Sequence, residues 1–310
     1  MDEKTRSVPT SGSGRRRRLA KSLAYRANAL GATPVSPGSL LLRAARLRSR
    51  RDHDGLRKAV EGRVVLITGA SSGIGRATAL RMSDAGATTL LVARSEGPLQ
   101  ELATEIEARG GDAVVFRCDL TDYDEIDALI TKILDQIGPV DIIVNNAGMS
   151  IRRKVRHSAG RFQDFERPMR LNYFAAVRLT MGLLPSMVER ESGQIINISS
   201  WAALVRPGRF SGYSASKAAL EAWSDCVQAE VLDDGVVFTN IHMPLVRTPM
   251  ITPTKLYQRM PALTVDQAAE VVCDAAITRS RRVTPIAGVW ARSAEALSPA
   301  LGDAIRKNAP

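Results

Sequence analysis

Cysteine and histidine are scarce, with three of each in 310 residues. Cys118, Cys226 and Cys273 are widely spaced and odd in number, which argues against a disulfide framework and predicts reduced core thiols in an intracellular, cytoplasmic protein. His53, His157 and His242 share no ligand spacing with one another or with a cysteine, so no metal is expected. No apolar run approaches the roughly 20 residues that span a bilayer. Nor does anything repeat at a fixed period.

Acidic residues are rare only at the start. Residues 1–60 hold all of the formal net charge of +11, and the remaining 250 residues are balanced in sign. The basic charge therefore belongs to an N-terminal segment rather than to a groove in a domain. Residues 1–38, rich in Ser, Gly, Pro and Arg and including the run Arg15 to Arg18, read as a disordered arm. It lacks interleaved aromatics beyond Tyr25, so nucleic acid is not an expected partner. Over 39–60, Leu40, Leu41, Leu42 and Leu47 alternate with Arg43, Arg46, Arg48 and Arg50, the pattern of a basic amphipathic helix. Such a helix suits peripheral contact with an anionic membrane through residues 15–58, and equally a solvated helix docked on the domain. A cleaved organelle-targeting segment is a third reading.

With 45% hydrophobic residues the chain can bury a large core. From residue 61 onward strand and helix patterns alternate. Strands are expected at 63–68, 89–93, 113–117, 141–144, 194–198 and 237–241, and helices at 74–86, 97–109, 122–137, near 165–190, near 213–233 and near 265–279. The expectation is an α/β fold, a doubly wound parallel sheet of Rossmann type forming a single domain over 61–282. Residues 283–310 read as a C-terminal extension, and no clear seventh strand follows Arg282, because Pro285, Gly288 and Pro299 interrupt the pattern.

The run Val64 to Gly75, VVLITGASSGIG, joins a buried strand to a glycine-rich turn and then to a helix. That order cradles a dinucleotide pyrophosphate: Gly69, Gly73 and Gly75 allow the turn, the close backbone approach and the tight packing of helix on strand. Ser71, Ser72 and Ile74 complete the turn. At the end of the second strand an acid would bond the ribose of NAD, whereas Arg94 stands there, and its forked guanidinium suits the 2′-phosphate of NADPH. The competing acid, Glu96, fits the first turn of the next helix, where the dipole favours it.

Tyr213 and Lys217, four apart on a helix, share one face, and Ser200 closes the preceding strand. A neighbouring ammonium lowers a phenol's pKa, as a proton-transfer group requires, and a serine hydroxyl can donate to a developing oxyanion. A Tyr and Lys at this spacing is cheap on its own; its place in the alternation gives it weight.

With Thr68-Gly69, Gly73, Gly75, Asp119 and Leu120 after the third strand, Asn145-Asn146-Ala147-Gly148, Asn172, Ser200, Tyr213 and Lys217, the chain resembles the short-chain dehydrogenase/reductases over roughly 62–280. The resemblance implies that Tyr213 is the general acid or base, that Ser200 steadies the substrate oxygen and that Lys217 binds the nicotinamide ribose. It also implies that Asn172 holds a water in the proton relay and that Asp119, Leu120, Asn146, Ala147, Gly148 and Thr248 line the cofactor. By the residues alone, Asn172 reads as a helix-interior amide with a local bond.

The runs Ser150-Ile151-Arg152-Arg153, Phe162 to Arg167, Leu171 to Phe174, Met243 to Met250 and Pro253 to Tyr257 are similar to the bacterial short-chain-type fatty acyl-CoA reductases. This narrower resemblance implies NADPH-dependent reduction of a long-chain acyl-CoA to an aldehyde, with Arg152, Arg153, Lys154 and Arg156 meeting CoA phosphates and Ile251 to Leu263 forming a lid. The plain alternatives are a solvated basic loop and irregular surface packing. Two other functions stay open. One is oxidoreduction of a steroid or other lipid ketone or secondary alcohol; the other is a low-turnover NADPH-binding scaffold docked on membrane, against which the intact Ser200, Tyr213 and Lys217 argue. The wider family implies a homo-oligomer joined through the helices near 165–190 and 213–233.

Overall fold

The computed structural model describes residues 34–35, 54–251, 257, 259–285 and 298–308. Most of the basic arm (1–38), most of the basic helix (39–60) and much of the C-terminal extension lie outside the described residues. What is described of the basic helix is its end: a helix over 54–60 (α1) buries Leu56 and Val60 in the domain core.

An all-parallel sheet forms the centre. Its strands are β1 (Pro34–Val35), β2 (Val64–Thr68), β3 (Thr88–Ala93), β4 (Asp112–Arg117), β5 (Ile142–Asn145), β6 (Gly193–Ser200), β7 (Val236–Met243) and β8 (Arg282–Pro285). Their spatial order is β1-β8-β7-β6-β5-β2-β3-β4. The helices between them are α2 (Gly73–Asp84), α3 (Glu96–Ala108), α4 (Tyr123–Gln136), α5 (Gln163–Met169), α6 (Ala175–Glu189), α7 (Trp201–Val205), α8 (Ser211–Glu230), α9 (Val265–Thr278) and α10 (Pro299–Asn308).

Strand β2 shows why the apolar run makes a central strand. Val65 and Ile67 turn to one face, packing in a core cluster with residues of α2, α3 and α9, while Leu66 turns to the other with residues of α4 and α6. All three are fully buried. Chain ends of helices are secured locally: Asp122 caps α4 by accepting from the amides of Asp124 and Glu125, and Thr264 and Gln267 form a reciprocal capping box on α9.

Across the middle of the sheet runs a buried amide ladder. Asn145, Asn197 and Asn240 are in register on β5, β6 and β7. Asn145 Nδ2 donates to Asn197 Oδ1 at 2.9 Å, and Asn197 Nδ2 to Asn240 Oδ1 at 3.0 Å. Asn240 Nδ2 donates on to Ser224 Oγ of α8 at 3.0 Å. Interior amides of this kind are tolerated only when paired.

Three sequence expectations change. A seventh domain strand does exist: β8 pairs with β7 through Asn240 with Arg282 and Ile241 with Val283. It was hidden because it is short and opens on a charged residue, Arg282, which with the preceding Arg281 is held by ion pairs to Asp225 on α8. The long helix expected near 165–190 is not uniform, since a π-helical stretch, Arg170–Phe174, separates α5 from α6 just after Pro168. Finally, Cys118 and Cys273 are core thiols, whereas Cys226 is exposed on α8.

The order of strands reverses between β2 and β5. The chain builds outward to β4, then returns to the other side of β2. In such sheets the crevice lies beyond the carboxyl ends of the strands at that switch.

Candidate active site

A cleft of about 880 Å³ opens there. Its floor on one side is the glycine turn between β2 and α2. Gly69 and Gly73 hold positive φ of 65° and 55°, a backbone state that favours glycine. The turn is locked from β5: Asn146 Nδ2 donates to the carbonyls of Thr68 at 2.8 Å and Gly69 at 3.2 Å. Thr68 Oγ1 in return accepts from the amides of Asn146 and Ala147, each at 3.0 Å. The N-terminus of α2 has no side-chain cap from Ser72 and no acid in its first turn. Its amides are left for an anion, which fits a pyrophosphate.

Opposite the turn lie Ser200, Tyr213 and Lys217, brought together by the end of β6 and the first turns of α8. Ser200 Oγ accepts from the amide of Ala202 at 3.1 Å, capping α7. Burial pushes the Tyr213 phenol above its ordinary pKa, and a hydrogen bond with Ser200 offsets part of that rise. Lys217 is 4% exposed, and its Nζ donates to the carbonyl of Ile198 at 2.7 Å. Burial pulls its pKa down to about 8, against the opposing charge of Glu221. The expected lowering of the Tyr213 pKa by a neighbouring ammonium is therefore corrected: burial dominates, and the lysine is turned to the strand.

The short chain dehydrogenase family model matches residues 63–258. The chain belongs to the short-chain dehydrogenases. A fatty acyl-CoA reductase of Acinetobacter baylyi is 50% identical over 249 residues, covering 80% of this chain and 84% of its own. A fatty acyl-CoA reductase of Mycobacterium tuberculosis is 44% identical over 239 residues, 77% of this chain and 81% of its own. Among solved structures, a 7α-hydroxysteroid dehydrogenase complexed with NADH and 7-oxo glycochenodeoxycholic acid has a TM-score of 0.69 and 25% identity, covering 76% of this chain and 96% of that one.

Of the residues singled out in sequence, Gly69, Ser71, Ser72, Gly73, Ile74, Arg94, Leu120, Asn146, Ala147, Gly148, Arg152, Ser200, Tyr213, Lys217 and Thr248 all line the cleft of this short-chain dehydrogenase. Four do not. Gly75 is packed beneath the turn, where its Cα faces the Gly69 carbonyl. Asp119 turns back to accept from the amide and hydroxyl of Thr121 at 2.9 and 2.8 Å. Asn172, 1% exposed in the π-helical stretch, bonds Met149 through both backbone groups and donates to Ser216 Oγ at 2.9 Å. Its amide thus braces the loop after Gly148 against α8, through partners 23 and 44 residues away rather than through the local bond that the residue alone suggested. Arg153 Nε is held by Asp164 at 2.6 Å. Glu96, the rejected ribose ligand, stands in the first turn of α3 and does not line the cleft.

Of the expected lid, residues 252–256 and 258 lie outside the described residues, while Ile251, Tyr257 and Met260 line the cleft. The segment is pinned at its base, where the Arg247 amide donates to the Leu263 carbonyl at 2.9 Å and the Leu263 amide to that of Leu245 at 2.8 Å.

Sequence reasoning missed a buried polar cluster behind Lys217. Glu221, one turn further along α8, accepts from Ser199 Oγ and lies 3.1 Å from His242 Nε2. The other ring nitrogen of His242 is 2.8 Å from Thr284 Oγ1 on β8. The i,i+4 spacing from Lys217 was the available signal. Removing the carboxylate strands both Ser199 and His242, which is 2% exposed. Glu221→Ala is expected to cost about 2–4 kcal/mol, read as a fall in the urea midpoint at unchanged slope.

Proposed function

We propose that this chain is an NADPH-dependent reductase that converts a long-chain fatty acyl-CoA to the fatty aldehyde and free CoA. The observation that carries the reading is the grouping of Ser200, Tyr213 and Lys217 across one cleft from an uncapped helix N-terminus, in a chain half identical to a fatty acyl-CoA reductase. Arg94, exposed at the end of β3 on the cleft wall, would hold the 2′-phosphate, the uncapped amides of α2 the pyrophosphate, and Lys217 the nicotinamide ribose.

When bound, the reduced nicotinamide supplies a hydride to the thioester carbonyl carbon. Ser200 donates to the carbonyl oxygen as negative charge grows there, and Tyr213 delivers its proton, giving a hemithioacetal. Tyr213 then takes that proton back as the C–S bond breaks. The thiolate leaves with a proton from solvent, so one thioester, one NADPH and one proton give one aldehyde, one thiol and one NADP⁺. Self-association through α6 and the π-helical stretch before it fits Met181 on the helix and Phe174 just ahead of it, which are 60% and 47% exposed.

The resemblance to the hydroxysteroid dehydrogenase supports a second reading, in which the same residues reduce a lipid ketone. Palmitoyl-CoA separates the two. Under the first reading NADPH loss is matched by thiol release; a ketone reductase consumes NADPH with steroid ketones and releases no thiol. Neither signal with palmitoyl-CoA, in protein that binds NADPH, rejects acyl-CoA reduction for that substrate. In the same assay Arg94→Ala is expected to raise the KM for NADPH about 10- to 100-fold while leaving that for NADH nearly unchanged.

A further inference from the structure

A second hollow, of about 390 Å³, opens beside the cleft and is walled by Arg152, Arg153, Lys154, His157 and Arg209. Arg152 belongs to both walls, so hollow and cleft meet at its side chain. At that junction it bonds the Tyr257 side chain, and its guanidinium lies 5.9 Å from the centre of the Phe210 ring.

The charges of this hollow are not all alike. Arg153 is committed to Asp164, which also takes Arg161 at 3.1 Å. Among the described residues no carboxylate pairs with Arg152, Lys154 or Arg209, and Arg152 Nε is buried without a partner. Arg209 sits at a φ of 75°, and its carbonyl accepts from the Arg153 amide at 2.8 Å. That bond ties the 150s loop to the loop before α8 and brings Arg209 alongside Lys154. Three unneutralised cations around one concavity suit a ligand with several phosphate charges. Arg94 and the glycine turn do not take part.

We propose that this hollow binds the phosphate groups of the CoA end of the thioester, with the pantetheine arm entering the catalytic cleft past Arg152. The proposal rests on the acyl-CoA reading and moves it from a row of basic residues in sequence to a defined set. Arg209 joins that set from a distant loop; Arg153 serves it by bracing the wall.

The test compares palmitoyl-CoA with S-palmitoyl-N-acetylcysteamine, the same thioester without phosphate, in the parent protein, in Lys154→Ala and in Arg209→Gly. Glycine removes the cation while suiting the backbone at 209. The parent is expected to show a KM at least about tenfold lower for the CoA ester, and each variant to shrink that ratio about tenfold. Binding of 3′,5′-ADP to protein saturated with NADP⁺ should weaken in parallel. If both thioesters are reduced but neither the ratio nor 3′,5′-ADP binding depends on the two residues, the phosphate site is wrong and the reductase reading stands. If no thioester is reduced, yet 3′,5′-ADP binds and the variants weaken it, the site stands and the acyl-CoA reading falls.

Discussion

Tyr213→Phe is expected to lower kcat/KM for palmitoyl-CoA about a thousandfold while the protein still folds and binds NADPH. The ring stays: its edge contact with Phe210, at 6.2 Å between centroids, needs no hydroxyl. What goes is the proton donor beside Ser200. Burial raises the phenol's pKa and so favours its protonated form, the form in which Tyr213 would act as the acid under the proposed thioester reduction. The loss should therefore fall on kcat, with the KM for NADPH changed less than about threefold, since the hydroxyl acts mainly on charge that develops in the transition state. Stability should fall by no more than about 1 kcal/mol, the value of one hydrogen bond. A variant with normal turnover, melting like the parent, would remove Tyr213 from the chemistry.

The same residue shows where sequence reading reaches its limit. Its spacing from Lys217 placed both on one face of a helix, and the structure has them so. The direction of its pKa depends instead on what surrounds the pair. Lys217 Nζ donates to Ile198 O, a main-chain acceptor supplied by β6, 19 residues earlier in the chain. No side-chain pattern marks a carbonyl, so the lysine's turn toward the strand could not be read in advance. Asn172 differs: its identity was visible, but its bonds to Met149 and Ser216, 23 and 44 residues away, were not, because the five-residue π-helical stretch that points it at them leaves no periodic trace in sequence.

Strands were legible in proportion to their burial. β2 and β6, covered on both faces, read as continuous apolar or small-residue runs in sequence and were placed within a residue or two. β8, four residues long and only partly buried, was not, because its exposed Arg282 and the preceding Arg281 take their partner from α8. Exposure on a helix is similarly decided by its neighbours. Cys226 was expected inside with the other thiols, yet α8 turns it outward, while burial pushes Cys118 and Cys273 up to about 12. Arg209 carried no sequence signal for the basic hollow, since the backbone bond to Arg153 that brings it there spans 56 residues.

Gly75→Ala should damage cofactor binding and folding together. A Cβ at this position would lie 2.4 Å from the Gly69 carbonyl oxygen, 2.6 Å from Asn146 Nδ2 and 2.9 Å from the Gly69 carbonyl carbon. None of these can yield freely. Two are backbone atoms of the turn, and the third is the amide whose bonds to Thr68 and Gly69 hold that turn in place. The methyl must therefore push α2 away from β2 and tilt the uncapped amides that a pyrophosphate needs. Such overpacking costs about 1–3 kcal/mol. A shift of about 1 Å in those amides is expected to weaken NADPH binding on the order of a hundredfold. Gly97→Ala provides the contrast, because nothing lies within 4 Å of its added carbon. In α3 that change should raise stability by up to about 1 kcal/mol and leave NADPH affinity unaltered. Denaturant midpoints and NADPH titrations of the two variants decide the matter: equal affinities would mean that the close packing at Gly75 does not shape the cofactor turn.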